Sequence, residues 1–200
     1  DFAEAFRMTR AVPGLLALVL FSTFNNLLGG VYMALLDPYG LELMPVQAWG
    51  ILWGVCSIGF ILGGMIISRT GLGVNPVRTL LLVNIAMWTV AAILPIRESI
   101  ALLAIGCFIY MGLVTFAEAS EQTVLQKVVP FVQQGRVFGF AMAIELAAAP
   151  ISTLMIGPIA EFWLIPYMNS DAGRNQLGWL LGAGTTRGIA LAFLLASLIG

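Results

Sequence analysis

Long apolar runs separated by short polar segments make up nearly the whole chain. The runs fall at 12–36, 48–67, 79–94, 100–117, 137–160 and 189–200. A helix needs about 20 apolar residues to cross a hydrocarbon core of about 30 Å, and the run 137–160, with Glu145 as its only charge, meets that length. The sixth run gives only about 18 Å of helix, so its remainder is expected beyond Gly200. The pattern predicts an all-α polytopic membrane bundle.

Between the runs, residues 37–47, 68–78, 95–99, 118–136 and 161–187 read as extramembrane segments, rich in Pro, Gly and charge. Glu118 and Glu121 then sit on a solvated end, and Trp49, Trp53, Trp163 and Trp179 fit interfacial belts. Pro13 is expected in the first helical turn, where its missing amide costs nothing. Pro150 is expected to bend the fifth helix at mid-depth.

Helical spacing sorts the remaining polar and small residues onto faces. Ser22, Asn25, Asn26 and Gly29 lie at i, i+3, i+4 and i+7, placing two amides and a hydroxyl on one side of an apolar helix. Such a face either bonds to a neighbouring helix or lines a substrate cavity. Gly50 and Gly54, Gly59 and Gly63, and the stripe Gly135, Gly139, Ala143, Ala147 are built for close helix approach. Glu145 lies about 12 Å into its helix, where a carboxylate must be protonated, paired or facing water. Asn84 or a carbonyl freed by Pro150 would be its partner in a purely structural role.

Composition excludes several classes of function. With 60% hydrophobic and 10% charged residues and a mean hydropathy of +0.99, the chain belongs to a lipid bilayer, and nucleic acid is no partner. Histidine is absent, which leaves carboxylates as proton carriers at neutral pH and argues against metal catalysis, cofactors or an enzyme. Cys56 and Cys107 lie within apolar runs and are expected to be free thiols. Arg7, Arg10, Arg69, Arg78, Lys127 and Arg136 collect on one side of the bundle, and Arg97, Arg174 and Arg187 on the other. That asymmetry puts the N-terminal segment in the cytoplasm.

Two local motifs go further. Gly64, Ser68, Arg69 and Gly71 follow the G-x-x-x-D-[RK]-x-G loop of the major facilitator superfamily, with Ser68 where the acid is expected. The run VLQKVVPFVQQGRVFGF, followed by AAPISTLMIGPIAEF, resembles the junction of helices ten and eleven in the branch of bacterial macrolide, multidrug and siderophore exporters. Gly135, Arg136, Pro150, Gly157 and Pro158 carry that resemblance. It implies the C-terminal six-helix half of a transporter in the bacterial inner membrane, partnered by an N-terminal six-helix half. It also implies export of an amphipathic, drug-like or siderophore-like small molecule by alternating access, coupled to protons. Glu145 is the proton-coupling candidate, and Ser22, Asn25 and Asn26 are the cavity candidates. The competing reading is a structural or sensory bundle in which the small-residue stripes serve only assembly.

Overall fold

A computed structural model describes residues 2–182 and 185–200. Among the described residues the ordered elements are all helical: α1 (Phe2–Ala11), α2 (Leu15–Leu43), α3 (Val46–Thr70), α4 (Pro76–Ile93), α5 (Ile100–Val128), α6 (Phe131–Ile159), a π-helical turn (Ala160–Leu164), α7 (Ile165–Asn169), α8 (Asp171–Leu181) and α9 (Thr185–Ile199). Five stretches are long and apolar enough to cross a membrane: α2, α3, α4, α5 and the continuous Phe131–Asn169. The chain is a multi-pass membrane helical bundle.

Local chemistry sets the helix starts. Asn75 caps α4 by accepting from Arg78 N–H at 3.2 Å, with Pro76 in the first turn, and Ser99 caps α5 by accepting from Leu102 N–H. Pro13 stands outside α2 rather than in its first turn. It forms a tight turn with Gly14, whose φ of 80° suits a residue without Cβ. Gly71, at φ 71°, closes α3 in the same way.

Three segments expected outside the membrane are helical instead. α2 runs through Asp37 and Pro38, because the Asp37 carboxylate accepts from Trp49 Nε1 at 2.9 Å and needs no water. Trp49 is therefore buried over Gly40 rather than interfacial, and a Cβ at Gly40 would strike its ring. α5 continues through Glu118 and Glu121 to Val128, since Glu, Gln and Lys favour helix. The helix stops where Pro130 forces Val129 into an extended conformation. Beyond α6, the π turn carries the helix past Ile159, with Ile165 N–H bonded to Ala160 O. The chain breaks at Ser170, whose hydroxyl caps α8. α6 itself passes Pro150 and Pro158 unbroken.

Packing divides the five spans and the shorter α9 into two triplets, α2–α3–α4 and α5–α6–α9. The first helix of each packs on the second and third of the other: α2 on α6 and α9, α5 on α3 and α4. Glycines make both main seams. A Cβ at Gly30 would collide with Ser152 Oγ and the Ala149 backbone, and Gly30 O accepts from Thr153 Oγ1 at 3.1 Å. Cβ atoms at Gly59 and Gly63 would meet Phe108 O at 2.5 Å and Gly112 O at 2.7 Å in α5. By contrast Gly50, Gly54, Gly135 and Gly139 face open space, and Ala143 and Ala147 are exposed, so the expected close approach along the α6 stripe does not occur among the described residues.

Tyr32 closes the centre. Its hydroxyl bonds to Ala91 O, Phe193 O and Ser197 Oγ, and its ring stacks on Phe193 at 4.4 Å, which ties α2 to α4 and α9. At one end α1 lies across α6. Phe2 and Phe6 sit on Phe140 there, and Glu4 pairs with Arg136 at 2.9 Å.

Candidate functional site: a polar-lined cavity between three helices

Because α2 and α5 barely touch, a cavity of about 720 Å³ opens between them, with α4 as its third wall and Trp53 and Phe60 reaching it from α3. Its lining on α2 extends from Phe21 to Asp37, about 24 Å of helix. The predicted polar face of α2, comprising Ser22, Asn25, Asn26 and Gly29, borders this cavity. Part of its hydrogen-bonding capacity is used locally. Asn25 Oδ1 accepts from Trp88 Nε1 at 2.7 Å and its amide donates to Phe21 O, while the Asn26 amide donates to Ser22 O.

Two other lining groups are not used. The Ser22 and Asn84 side chains are 5% and 8% exposed, border the cavity, and make no hydrogen bond among the described residues. Neither is among the fully buried polar atoms left without a partner, so both keep access to the cavity and are groups that a ligand or water can satisfy.

The carboxylates are arranged differently from the sequence expectation. Glu118 and Glu121 do not stand at a helix end, since α5 runs on to Val128; Glu118 is exposed as expected, Glu121 is half-buried, and both border the cavity. Glu145 lies on α6 outside the lining, and its neighbour is Glu121 rather than Asn84. One oxygen of each, Glu121 Oε1 and Glu145 Oε1, is fully buried with no hydrogen-bond partner among the described residues, as is the Oγ of Ser120, the residue before Glu121. Among the described residues no Lys or Arg pairs with Glu118, Glu121 or Glu145. Adjacent carboxylates without a base need a proton or a cation between them.

The motif residues lie elsewhere and none borders the cavity. Ser68 Oγ donates back to Met65 O at 2.8 Å, and Arg69 is exposed without an ion pair among the described residues. Gly64 faces open space and Gly71 serves the end of α3. Gly135, Pro150 and Pro158 are on the outside of α6, Gly157 has no side chain or backbone against it, and Arg136 holds α1.

A second charged cluster escaped the sequence reading, which placed Arg187 in a loop. Arg187 is in α9 and 2% exposed. Its guanidinium donates to Glu98 Oε1 at 2.8 Å, to Pro95 O at 3.1 Å and to Tyr39 Oη at 3.2 Å. Glu98 lies in the turn before α5, where the Thr186 hydroxyl, and then the Arg187 charge, hold its carboxyl below the ordinary 4.5 despite some burial.

No family model matches the chain, and no curated protein or solved structure matches it.

Proposed function

We propose that this chain is a six-helix half of a secondary active transporter of the major facilitator type, exporting an amphipathic small molecule in exchange for protons by alternating access. The observation that carries the reading is the crossed packing of α2–α3–α4 with α5–α6–α9 around a long polar-lined cavity. A triplet has an odd number of crossings, so the second triplet is inverted with respect to the first. Inverted repeats around a central site are a recurrent transporter design. The second helix of each triplet leaves a glycine pair uncovered, Gly50 with Gly54 in α3 and Gly135 with Gly139 in α6. These stripes suit the docking of a partner bundle.

Glu145 and its neighbour Glu121 are the proton-coupling groups in this reading, and the cavity face of α2 takes part in cargo binding. The charge asymmetry supports a cytoplasmic N-terminus, and the resemblance to bacterial exporters implies the bacterial inner membrane. Flux measured in proteoliposomes holding both bundles, with and without a pH gradient, tests the proposal. Gradient-driven flux is expected; a bundle that assembles but moves no solute supports the structural reading instead. Orientation is tested with Val74→Cys and Asn175→Cys in a background lacking Cys56 and Cys107. Both sites are exposed, and they should label from opposite sides of the membrane.

A further inference from the structure

Ionisable groups bordering the cavity are all of one sign. Asp37, Glu118 and Glu121 line it and no Lys or Arg does. The Asp37 carboxylate is occupied by Trp49 Nε1. Glu118 and Glu121, one helical turn apart on α5, have no basic partner. An acidic pair alone would suit a solvated helix surface equally well; here Glu118 is exposed and Glu121 half-buried, and both border the cavity.

Aromatic rings form much of the remaining wall: Phe21, Tyr32, Trp53, Phe60, Trp88 and Tyr110. Ring faces attract cations, most strongly when water is excluded, and Trp is the best of them. The chamber volume of about 720 Å³ is within the range of drug-sized ligand sites. Ser22 and Asn84, more than nine-tenths buried and without hydrogen-bond partners, point to a polar ligand group or bound water that the protein itself does not provide.

We infer that the cavity between α2, α4 and α5 is a binding site for an amphipathic organic cation, with aromatic rings around its body and the Glu118 and Glu121 carboxylates at its charge. An anionic chelator would meet uncompensated carboxylates and no base, so the cargo class narrows from drug-like or siderophore-like to the cationic kind. This narrowing rests on the transport reading, whereas the site itself does not, because residues of this one chain line it. Glu121 both borders the chamber and adjoins Glu145. A cation seated at Glu121 and a proton held between Glu121 and Glu145 thus compete for the same negative charge.

Equilibrium dialysis of the purified chain in detergent, with radiolabelled tetraphenylphosphonium as probe, tests the site. Saturable one-site binding is expected, with isosteric tetraphenylborate at least ten-fold weaker as a displacer. Glu118→Gln with Glu121→Gln should weaken binding at least ten-fold, and Asn84→Ala a few-fold. Glu161→Gln, on an exposed residue outside the chamber, is the control that should leave it unchanged. Equal displacement by tetraphenylborate, no saturable binding, or wild-type affinity in the double variant would each overturn the proposal. If the double variant does not fold, the cation-against-anion comparison on the unmodified chain decides alone. Cation binding in a protein that shows no gradient-driven flux would refute the transport reading and leave the site standing.

Discussion

Two places in this bundle gather ionisable groups, and they are built in opposite ways. At the turn before α5, Arg187 is buried and each nitrogen of its guanidinium has a partner in Glu98, Pro95 O or Tyr39. In the chamber and at the α5–α6 seam, Glu118, Glu121 and Glu145 have no base, and two of their oxygens are buried without a partner. A satisfied charge network locks helices together; an unsatisfied one is held at a cost that only a proton, an ion or a ligand relieves. The first is structural, and the second is the part of the molecule free to change state.

The largest effect should come from breaking the satisfied cluster. Arg187→Met leaves the buried Pro95 carbonyl without its donor, while the half-exposed Glu98 keeps the Thr186 hydroxyl, and should destabilise the bundle by about 1 to 3 kcal/mol, read as a lowered unfolding midpoint in detergent. Arg187→Lys keeps the charge but not the fork, so an intermediate loss is expected. Wild-type stability in Arg187→Met would remove the contrast altogether.

Opposite behaviour is expected at the unsatisfied site. Glu145→Gln or Glu121→Gln supplies a donor to the neighbouring carboxylate, so stability should hold or rise by about 1 kcal/mol. A loss as large as that of Arg187→Met would mean that the acidic pair is a structural element after all.

Smaller still is the effect of Glu98, which is half-exposed. Glu98→Gln should cost no more than about 1 kcal/mol. Since the folded-state carboxyl titrates below its ordinary 4.5, the ion pair contributes fully above that value and is lost as pH falls through the lower folded value. The drop in unfolding midpoint between about pH 5 and pH 3 should therefore be shallower in Glu98→Gln than in the wild type.

The contrast between the two sites was only half legible in the sequence. Periodicity put Ser22, Asn25, Asn26 and Gly29 on one face, and that face does border the chamber, because 3.6-residue spacing alone fixes which side chains share a side. The polarity of 118–128 was misread as a helix end. Helix propensity and a cavity to receive the carboxylates keep α5 intact there, and the only local stop signal is Pro130. Glu121 and Glu145 come together through tertiary packing across 24 residues of sequence, so no spacing rule could pair them. Arg187 was read as a loop charge for the same reason: its partners lie in the turn before α5 and at the end of α2. The signature residues Gly64 and Arg69 were recognisable in the chain yet sit outside the chamber.

What the account claims most centrally is that the unsatisfied carboxylates are the switch by which protons drive movement of cargo. Glu145→Gln preserves shape and hydrogen bonding and abolishes titration, so the direct measurement is solute flux under an imposed pH gradient in proteoliposomes containing the variant with both bundles. The account predicts normal assembly, retained cation binding and loss of the gradient-driven component of flux. Flux that responds to the gradient as strongly in Glu145→Gln as in the wild type would contradict it.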